Sequence, residues 1–322
     1  MRARIWTCPS SGGPEHLSLV EETLPDLGPT DVLVRHEAIG INFMDVYFRS
    51  GVYANPAGRL GGEAAGVVAR IGNAVADVRV GDRVAYASGP NGAYADMRVI
   101  DAAHLVKLPD GITFPVAAAA LLKGMTAAML VTRVLRVAPG EHVLVHAAAG
   151  GVGLFVGQWL RAIGAMAIGV VGDAHKKQQA LHNGYAHVID RQVDDVVARV
   201  MELTDGRGAS AVLDGVGQDT FETSLAALAI RGTLVSFGAA SGPVSTFSIA
   251  RLAPKALHVT RPTLTAYTAT RAERGVLAED VLQRLQRGDV QVALKTYGFH
   301  ELPAAHRELE QRRTTGSLVV AL

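Results

Sequence analysis

Two textures of apolar and polar positions divide the chain. Up to about Pro115 the apolar residues come in short runs, "DVLVRHEAIGI" (31–41), "AAGVVARIG" (64–72) and "DRVAYA" (82–87), set off by glycine and Asn-Gly turns. Such runs predict β-strands in an all-β region. Beyond Pro115, apolar strands alternate with amphipathic stretches. The strands are "HVLVHA" (142–147), "AMAIGVVG" (165–172), "AHVID" (186–190), "SAVLDGVG" (210–217), "GTLVSFGAA" (232–240) and "ALHVTRP" (256–262). Between the first two, "LFVGQWLRAI" (154–163) spaces Phe155, Trp159 and Ile163 four residues apart and is followed by Gly164, which predicts a helix and its stop. "AERGVLAEDVLQRLQRG" (272–288) reads as a second helix ending at a glycine, and "VALKTYGF" and "GSLVVAL" return to strand texture. Strands alternating with helices imply an α/β fold with a doubly wound parallel sheet covered on both faces. The expected division is a β domain over 1–123, completed by a tail at 290–322, around an α/β domain over 124–289.

Composition narrows the function classes. At 322 residues with 49% hydrophobic positions, the chain has material for two cores. A net charge of +1, with no basic stripe, gives no pull toward nucleic acid or an acidic membrane. The single cysteine, Cys8, allows neither an intramolecular disulfide nor a four-cysteine zinc lobe. The opening "MRARIWTCPSSGG" lacks the apolar core of a signal peptide. "PVAAAALLKGMTAAMLV" (115–131), broken by Lys123 and Gly124, reads as a buried helix, too short and alanine-rich for a membrane span. A cytoplasmic protein without membrane partners is the expectation.

The chemistry-bearing stretch is "AAGGVG" (148–153), between the first α/β strand and its helix. It matches the dinucleotide fingerprint G-x-G-x-x-G with Ala148 at the first position. In this reading Gly150 lets a pyrophosphate reach the backbone, Gly151 and Val152 open the helix toward it, and Gly153 packs the helix on the strand. The competing reading is a tight turn without a ligand. An acid about twenty residues on would grip the ribose of NAD, but the second strand ends at Gly172. Asp173 comes one step late, Lys176 and Lys177 follow, and Arg191 ends the next strand. A small residue among cations suits a 2′-phosphate and favours NADPH. Asp173 then caps the following helix.

With these residues in view, the chain resembles the zinc-independent quinone oxidoreductases, the zeta-crystallin type, of the medium-chain dehydrogenase/reductase superfamily. "AIGINFMDVYFRSGVY", "GGEAAGVV", "VGDRVAY", "LKGMTA", "HAAAGGVG", "VSFGAASG", "VTRP" and "TTGSLVV" occur in the family's order over the whole length. The resemblance implies a GroES-like β domain and a Rossmann nucleotide domain with the active site in the cleft, and a homodimer joined through an edge strand. Zinc-dependent relatives have cysteine where this chain has Asn42, and Gly-His-Glu where it has Gly61, Gly62 and Glu63, so no metal is expected. Asn42 and Tyr47 are implied as the donors beside the nicotinamide. Tyr53 is implied as a lining of the quinone pocket or as a loop anchor. Asp45 lies near the cofactor or orders its loop, and Glu63 becomes structural. Lys123 and Thr126 match the stretch near the nicotinamide ribose; a lysine on a helix surface is the competing reading of Lys123, and its apolar surroundings argue against it. Phe237 and Gly238 are expected at the nicotinamide end, and Lys176 and Arg312, which match family positions, around the 2′-phosphate. Arg191 stands where many bacterial members have tyrosine, and an arginine there can still stack on or pair with the phosphate.

The function so implied is NADPH-dependent reduction of quinones, by hydride or single-electron transfer and without zinc. Reduction of an enone or 2-alkenal double bond with the same cofactor is the alternative enzyme. A non-enzymatic, crystallin-like NADPH-binding protein is the alternative outside catalysis.

Overall fold

The structure, a computed structural model, describes residues 1–311 and 314–322. The chain forms two compact units, one of Met1–Lys123 with Thr268–Leu322 and one of Gly124–Tyr267.

The first unit opens with strands β1 (Arg2–Thr7), β2 (Ser18–Thr23) and β3 (Asp31–Ile41), helix α1 (Phe43–Ser50), and strands β4 (Glu63–Ile71), β5 (Arg83–Ala87), β6 (Met97–Asp101) and β7 (Val106–Lys107). Helix α2 (Phe114–Ala128) carries the chain into the second unit and runs on as a π-helical segment, Met129–Val134. This corrects the expectation of a stretch too short to span a membrane. Phe114–Val134 is 21 residues, sufficient by length and composition alone, but 72% of its apolar window is buried inside the fold, the environment of a core helix.

In the second unit β8 (His142–His146), α3 (Gly151–Ile163), β9 (Met166–Val171), α4 (Lys177–His182), β10 (His187–Asp190), α5 (Val196–Leu203), β11 (Ala209–Asp214), α6 (Phe221–Ala227), β12 (Leu228–Ser236), β13 (His258–Thr260) and α7 (Leu264–Tyr267) follow one another. The six strands pair in parallel in the order β10-β9-β8-β11-β12-β13. Numbered within the unit this is 3-2-1-4-5-6, the doubly wound order, and the strand order reverses between β8 and β11. Near-continuous burial along β8 and β9 fits strands covered on both faces. On α3 Trp159 is completely buried, and Gly164 ends the helix in the left-handed region at φ 84°.

The chain then returns through α8 (Arg271–Arg287), β14 (Leu294–Gly298), α9 (Leu302–Glu310) and β15 (Ser317–Ala321). Among the described residues the large sheet of this unit runs β14-β15-β3-β4-β5-β7, with β6 also on β3. The sequence reading placed the return at 290 and gave α8 to the nucleotide domain. The structure places it at Thr268, because α8 belongs to the first unit. Leu277, Ala278, Val281 and Leu282 are buried, and Arg274 donates to the carbonyls of Ala103 (2.7 Å) and Thr268 (3.0 Å). Thr270 and Glu273 start α8 with a reciprocal capping box. Helical periodicity identified that helix but carried no information about which core would bury it.

Packing of α3 rests on a close approach at Gly157. A Cβ there would stand 2.4 Å from the Asn183 carbonyl oxygen and 2.5 Å from the Tyr185 ring. Gly157→Ala should therefore lower stability by about 1–3 kcal/mol through overpacking. A chemical-denaturation midpoint unchanged from the parent would show that the neighbours yield freely.

Candidate functional site

In the nucleotide-binding unit the glycine turn follows β8, beside the strand-order reversal where doubly wound sheets bind ligands. Gly150 is the N-cap of α3 and has no side-chain oxygen to offer the N–H groups of the first turn, and no acid lies in that turn. The helix therefore presents unoccupied donors and the positive end of its dipole together, as an anion requires. A Cβ at Gly153 would meet the carbonyl oxygens of Ala147 and Ala148 at 2.4 and 2.7 Å, so this glycine sets helix–strand packing. One at Gly150 would stand 3.1 Å from the Ala147 carbonyl oxygen, on a turn that is otherwise open. Gly151 and Val152 are half-buried at the start of α3. These features fit a dinucleotide pyrophosphate.

At the end of β9, Gly172 lies beneath Arg191. An ideal Cβ on the glycine would be 3.2 Å from the arginine Nε. Arg191 is exposed and its N–H donates to the Val171 carbonyl, so the cation is tied to the strand end that carries the glycine. Asp173 is engaged as a cap, its Oδ1 accepting from the His175 N–H at 3.0 Å. Lys176 follows in that turn and is half-buried. Gly172, Lys176 and Arg191 are thus within one neighbourhood, while Arg312 lies outside the described residues.

The opposite side of the strand-order reversal is held by Asp214, which is 1% exposed. Its carboxylate accepts from the N–H groups of Val216 (2.8 Å) and Gly217 (3.1 Å) and from the hydroxyls of Thr220 (2.8 Å) and Ser224 (2.8 Å). The Phe237 ring packs on Gly215, and Gly238 comes so close to the Gly215 carbonyl that a Cβ would sit 2.4 Å away. Arg261 donates to the Ser236 carbonyl (3.3 Å), the Ser236 hydroxyl (3.2 Å) and the Gly238 carbonyl (3.3 Å), fixing the strand ends around Phe237. Sequence reading missed Asp214, and it placed the stretch "TRPT" (260–263) at the nicotinamide end without singling out Arg261. For Asp214 there was a signal, an acid at a strand end followed by a glycine turn. Thr126 also belongs to this unit and is half-buried.

In the first unit the residues implied for the substrate end gather around α1. Asn42 is its N-cap, buried to 6% exposure. Its Nδ2 donates to Glu63 Oε2 at 3.0 Å, which leaves the second amide N–H uncommitted to that carboxylate. Glu63 is completely buried and also accepts from the Leu122 N–H. Lys123 Nζ stands 3.6 Å from the same Oε2 and 3.4 Å from the Ile41 carbonyl. Lys123 is only 6% exposed, so it is a buried counter-charge and not a surface lysine. Burial pushes the Glu63 carboxyl upward in pKa, and Lys123, Asn42 and Leu122 oppose the shift.

Zinc does not fit this place. Asn42 holds a carboxylate with its amide, Gly62 offers no side chain, and the Glu63 oxygens are taken by three donors, one of them a cation. Among the described residues no group of three or more His, Cys, Asp or Glu side chains stands together as a metal cluster.

Asp45, foreseen as a cofactor contact or a loop-ordering residue, is 2% exposed, and its carboxylate is turned inward. It accepts from the N–H groups of Asn42 (2.8 Å) and Gly61 (3.2 Å) and from the Tyr94 hydroxyl (2.9 Å). The foreseen loop is a helix, α1, and Asp45 closes its first turn. Burial raises the Asp45 carboxyl to a pKa of about 6 against these donors and Lys123. Tyr47 packs edge-on to Phe43 and to Tyr53, both with ring centroids 5.3 Å apart, and Tyr53 also meets Phe48 at 5.7 Å. The Tyr53 N–H donates to the Tyr47 carbonyl at 3.1 Å. Tyr47 is 8% exposed and Tyr53 half-exposed.

The chain is similar to known proteins along its whole length. Residues 28–110 match the family model of the alcohol dehydrogenase GroES-like domain, and residues 151–302 match that of the zinc-binding dehydrogenases. A quinone oxidoreductase of Pseudomonas aeruginosa is 46% identical over 313 residues, covering 96% of each chain. A 2-haloacrylate reductase of Burkholderia is 36% identical over 96% of each chain. The crystal structure of Escherichia coli quinone oxidoreductase complexed with NADPH superposes with a TM-score of 0.96 at 41% identity, covering 99% of this chain and all of that one. End-to-end identity at this level, over a Rossmann unit and a GroES-like unit, shows that the chain belongs to the quinone oxidoreductase family of the medium-chain dehydrogenase/reductase superfamily.

Proposed function

We propose that the protein is an NADPH-dependent quinone oxidoreductase that works without zinc. One observation carries the reading: the chain is 41% identical, along essentially its whole length, to a quinone oxidoreductase solved with NADPH. The uncapped glycine turn at Gly150–Gly153 and the Gly172–Arg191 pair support the cofactor half of it.

In this reading NADPH supplies the reducing equivalents, as hydride or single electrons, to a bound quinone. The chain binds, orients and screens. Gly150, Gly151, Val152 and Gly153 hold the pyrophosphate on the N-terminus of α3. Lys176 and Arg191, with Arg312, read the 2′-phosphate around Gly172. Phe237 and Gly238 serve the nicotinamide end, and Lys123 and Thr126 the nicotinamide ribose. Asn42 and Tyr47 supply N–H and O–H donors to the substrate oxygen as charge grows on it. Tyr53 presents an aromatic face suited to a planar ring. Asp45 acts on the cofactor only through Asn42, since its own oxygens are occupied. A cytoplasmic homodimer is the assembly proposed, with neither nucleic acid nor membrane as partner.

Reduction of an activated alkene is the second reading, favoured by the 36% identity to a 2-haloacrylate reductase. NADPH oxidation followed with a quinone, with an enone and with neither separates the two. Faster turnover of the enone would replace the first reading by the second, and the absence of NADPH oxidation with either substrate would leave a cofactor-binding protein.

Gly150→Val should place a branched side chain against the pyrophosphate and weaken NADPH at least about tenfold, with the fold intact by circular dichroism. An unchanged dissociation constant in a fluorescence titration would move the pyrophosphate elsewhere. Arg191→Ala should weaken NADPH by about ten- to a hundredfold and barely touch NADH, because charge-assisted bonds contribute about 1.5–3 kcal/mol and NADH carries no 2′-phosphate. Equal losses for both would make the arginine a strand-end fastener. Elemental analysis should find no stoichiometric zinc, and about one tightly held zinc per chain would contradict the reading of Asn42 and Glu63.

A further inference from the structure

Helix α1 carries Asn42 at its start and Tyr47 in its second turn, and its other buried side is polar. Asp45 and Arg49 stand one turn apart on that side, and both lead to α9, where His306 and Glu310 are likewise one turn apart. The first link runs through Tyr94, whose hydroxyl donates to Asp45 Oδ2 at 2.9 Å and lies 2.8 Å from His306 Nε2. Because Tyr94 has one proton and gives it to the carboxylate, His306 is the donor to the Tyr94 oxygen, which fixes the proton on Nε2. The Tyr94 and His306 rings also meet edge-on at 5.6 Å. Tyr94 and His306 are both completely buried, and burial holds His306 neutral with a pKa of about 3. The second link is an ion pair between the Arg49 guanidinium, completely buried, and Glu310, with Arg49 Nη1 also donating to the Gly12 carbonyl at 2.8 Å.

Tyr94, Arg49, His306 and Glu310 were not candidates in the sequence, and Tyr94, Arg49 and His306 are completely buried. We infer that Tyr94 and His306 are positioning residues: the Asp45–Tyr94–His306 chain, backed by the Arg49–Glu310 pair, fixes the rotation of α1 and so the directions in which Asn42 and Tyr47 present their donors. The inference rests on the proposed oxidoreductase reading for its effect on turnover but not for its structural content. The Asp45 carboxylate is the joint of the device, since it receives the Asn42 N–H that begins α1. The groups facing it are Tyr94, the N–H groups of Asn42 and Gly61, and the Lys123 ammonium. Glu63 lies beyond Asn42, and Arg49 and His306 lie beyond Tyr94. Removing the Tyr94 hydroxyl takes a donor from the ionised carboxylate, so Asp45 should then protonate at higher pH and release the start of α1 earlier on acidification.

Tyr94→Phe keeps the ring and deletes the link. Amide hydrogen exchange over residues 42–50 should become about tenfold faster at pH 6–7, and the pH at which protection is lost should move upward. Quinone kcat/KM should fall about tenfold in the same range while the NADPH dissociation constant stays within about twofold. His306→Leu should share the exchange phenotype, and His306→Gln, which can again place an N–H near the Tyr94 oxygen, should recover most of it. Exchange and pH dependence equal to the parent in both Tyr94→Phe and His306→Leu would overturn the inference. If Tyr94→Phe does not fold, the His306 pair decides. A parent protein that turns over no quinone would sink the functional reading alone, because the exchange comparison needs no substrate.

Discussion

A carboxylate with no exposure to water has to be answered by donors or by a counter-charge, and Glu63 is such a carboxylate. Three parts of the first unit answer it: the Asn42 amide at the head of α1, the Leu122 N–H and the Lys123 ammonium, both on α2. Glu63 itself opens β4, in the middle of the large sheet. One side chain thus brings a strand, a helix start and the interior of a long apolar helix to a common point. Breaking any one of these contacts would leave the buried carboxylate short of a donor or of its counter-charge, which typically costs more than the contact contributes when made. The arrangement also explains why a lysine interrupts the apolar run 115–131. Its stem is buried, and its ammonium stands 3.6 Å from Glu63 and 3.4 Å from the Ile41 carbonyl.

Around that point the polar interior of the first unit is layered. Asn42 is gripped from two sides, its side chain by Glu63 and its backbone N–H by Asp45. Both carboxylates are pushed toward their neutral forms by burial, and Lys123 favours ionisation of each. The second unit solves its own version of the problem with neutral donors. Asp214 satisfies its charge with two backbone N–H groups and two hydroxyls, fixing the turn after β11. The first device sets an amide beside a cationic side chain, and the second shapes a strand end. The N-terminus of α3, by contrast, has neither a side-chain cap at Gly150 nor an acid in its first turn.

The periodic elements were legible in the chain. All six strands of the nucleotide unit stand where alternation and apolar runs placed them, and Gly164 and Gly288 end the helices they follow. Local chemistry also carried the fingerprint, the small residue at Gly172 and the cap at Asp173. What stayed hidden was partnership across long separations. Nothing near Tyr94 announces a carboxylate 49 residues earlier or a histidine 212 residues later. The same limit misplaced α8, whose amphipathic pattern suits any apolar surface of the right curvature. It also left α1 as a loop, since that helix is two turns long and its buried side is polar, which blurs the periodic signal.

The sheet order carries a consequence for how the protein is made. β15, the last strand, lies between β14 and β3 in the large sheet, pairing antiparallel with a strand completed by residue 41. During synthesis the Ala38–Ile41 end of β3 therefore waits unpaired on that edge while more than two hundred residues emerge, among them the whole of the second compact unit, Gly124–Tyr267. The inserted unit can close on the ribosome; its host cannot. Over that interval the unpaired backbone of Ala38–Ile41 is a surface other chains can join, while the apolar run Val32–Val34 is covered by β4 and β6. Chaperone demand and aggregation during expression should accordingly track the wait for residues 317–321 more than the marginal stability of either finished core.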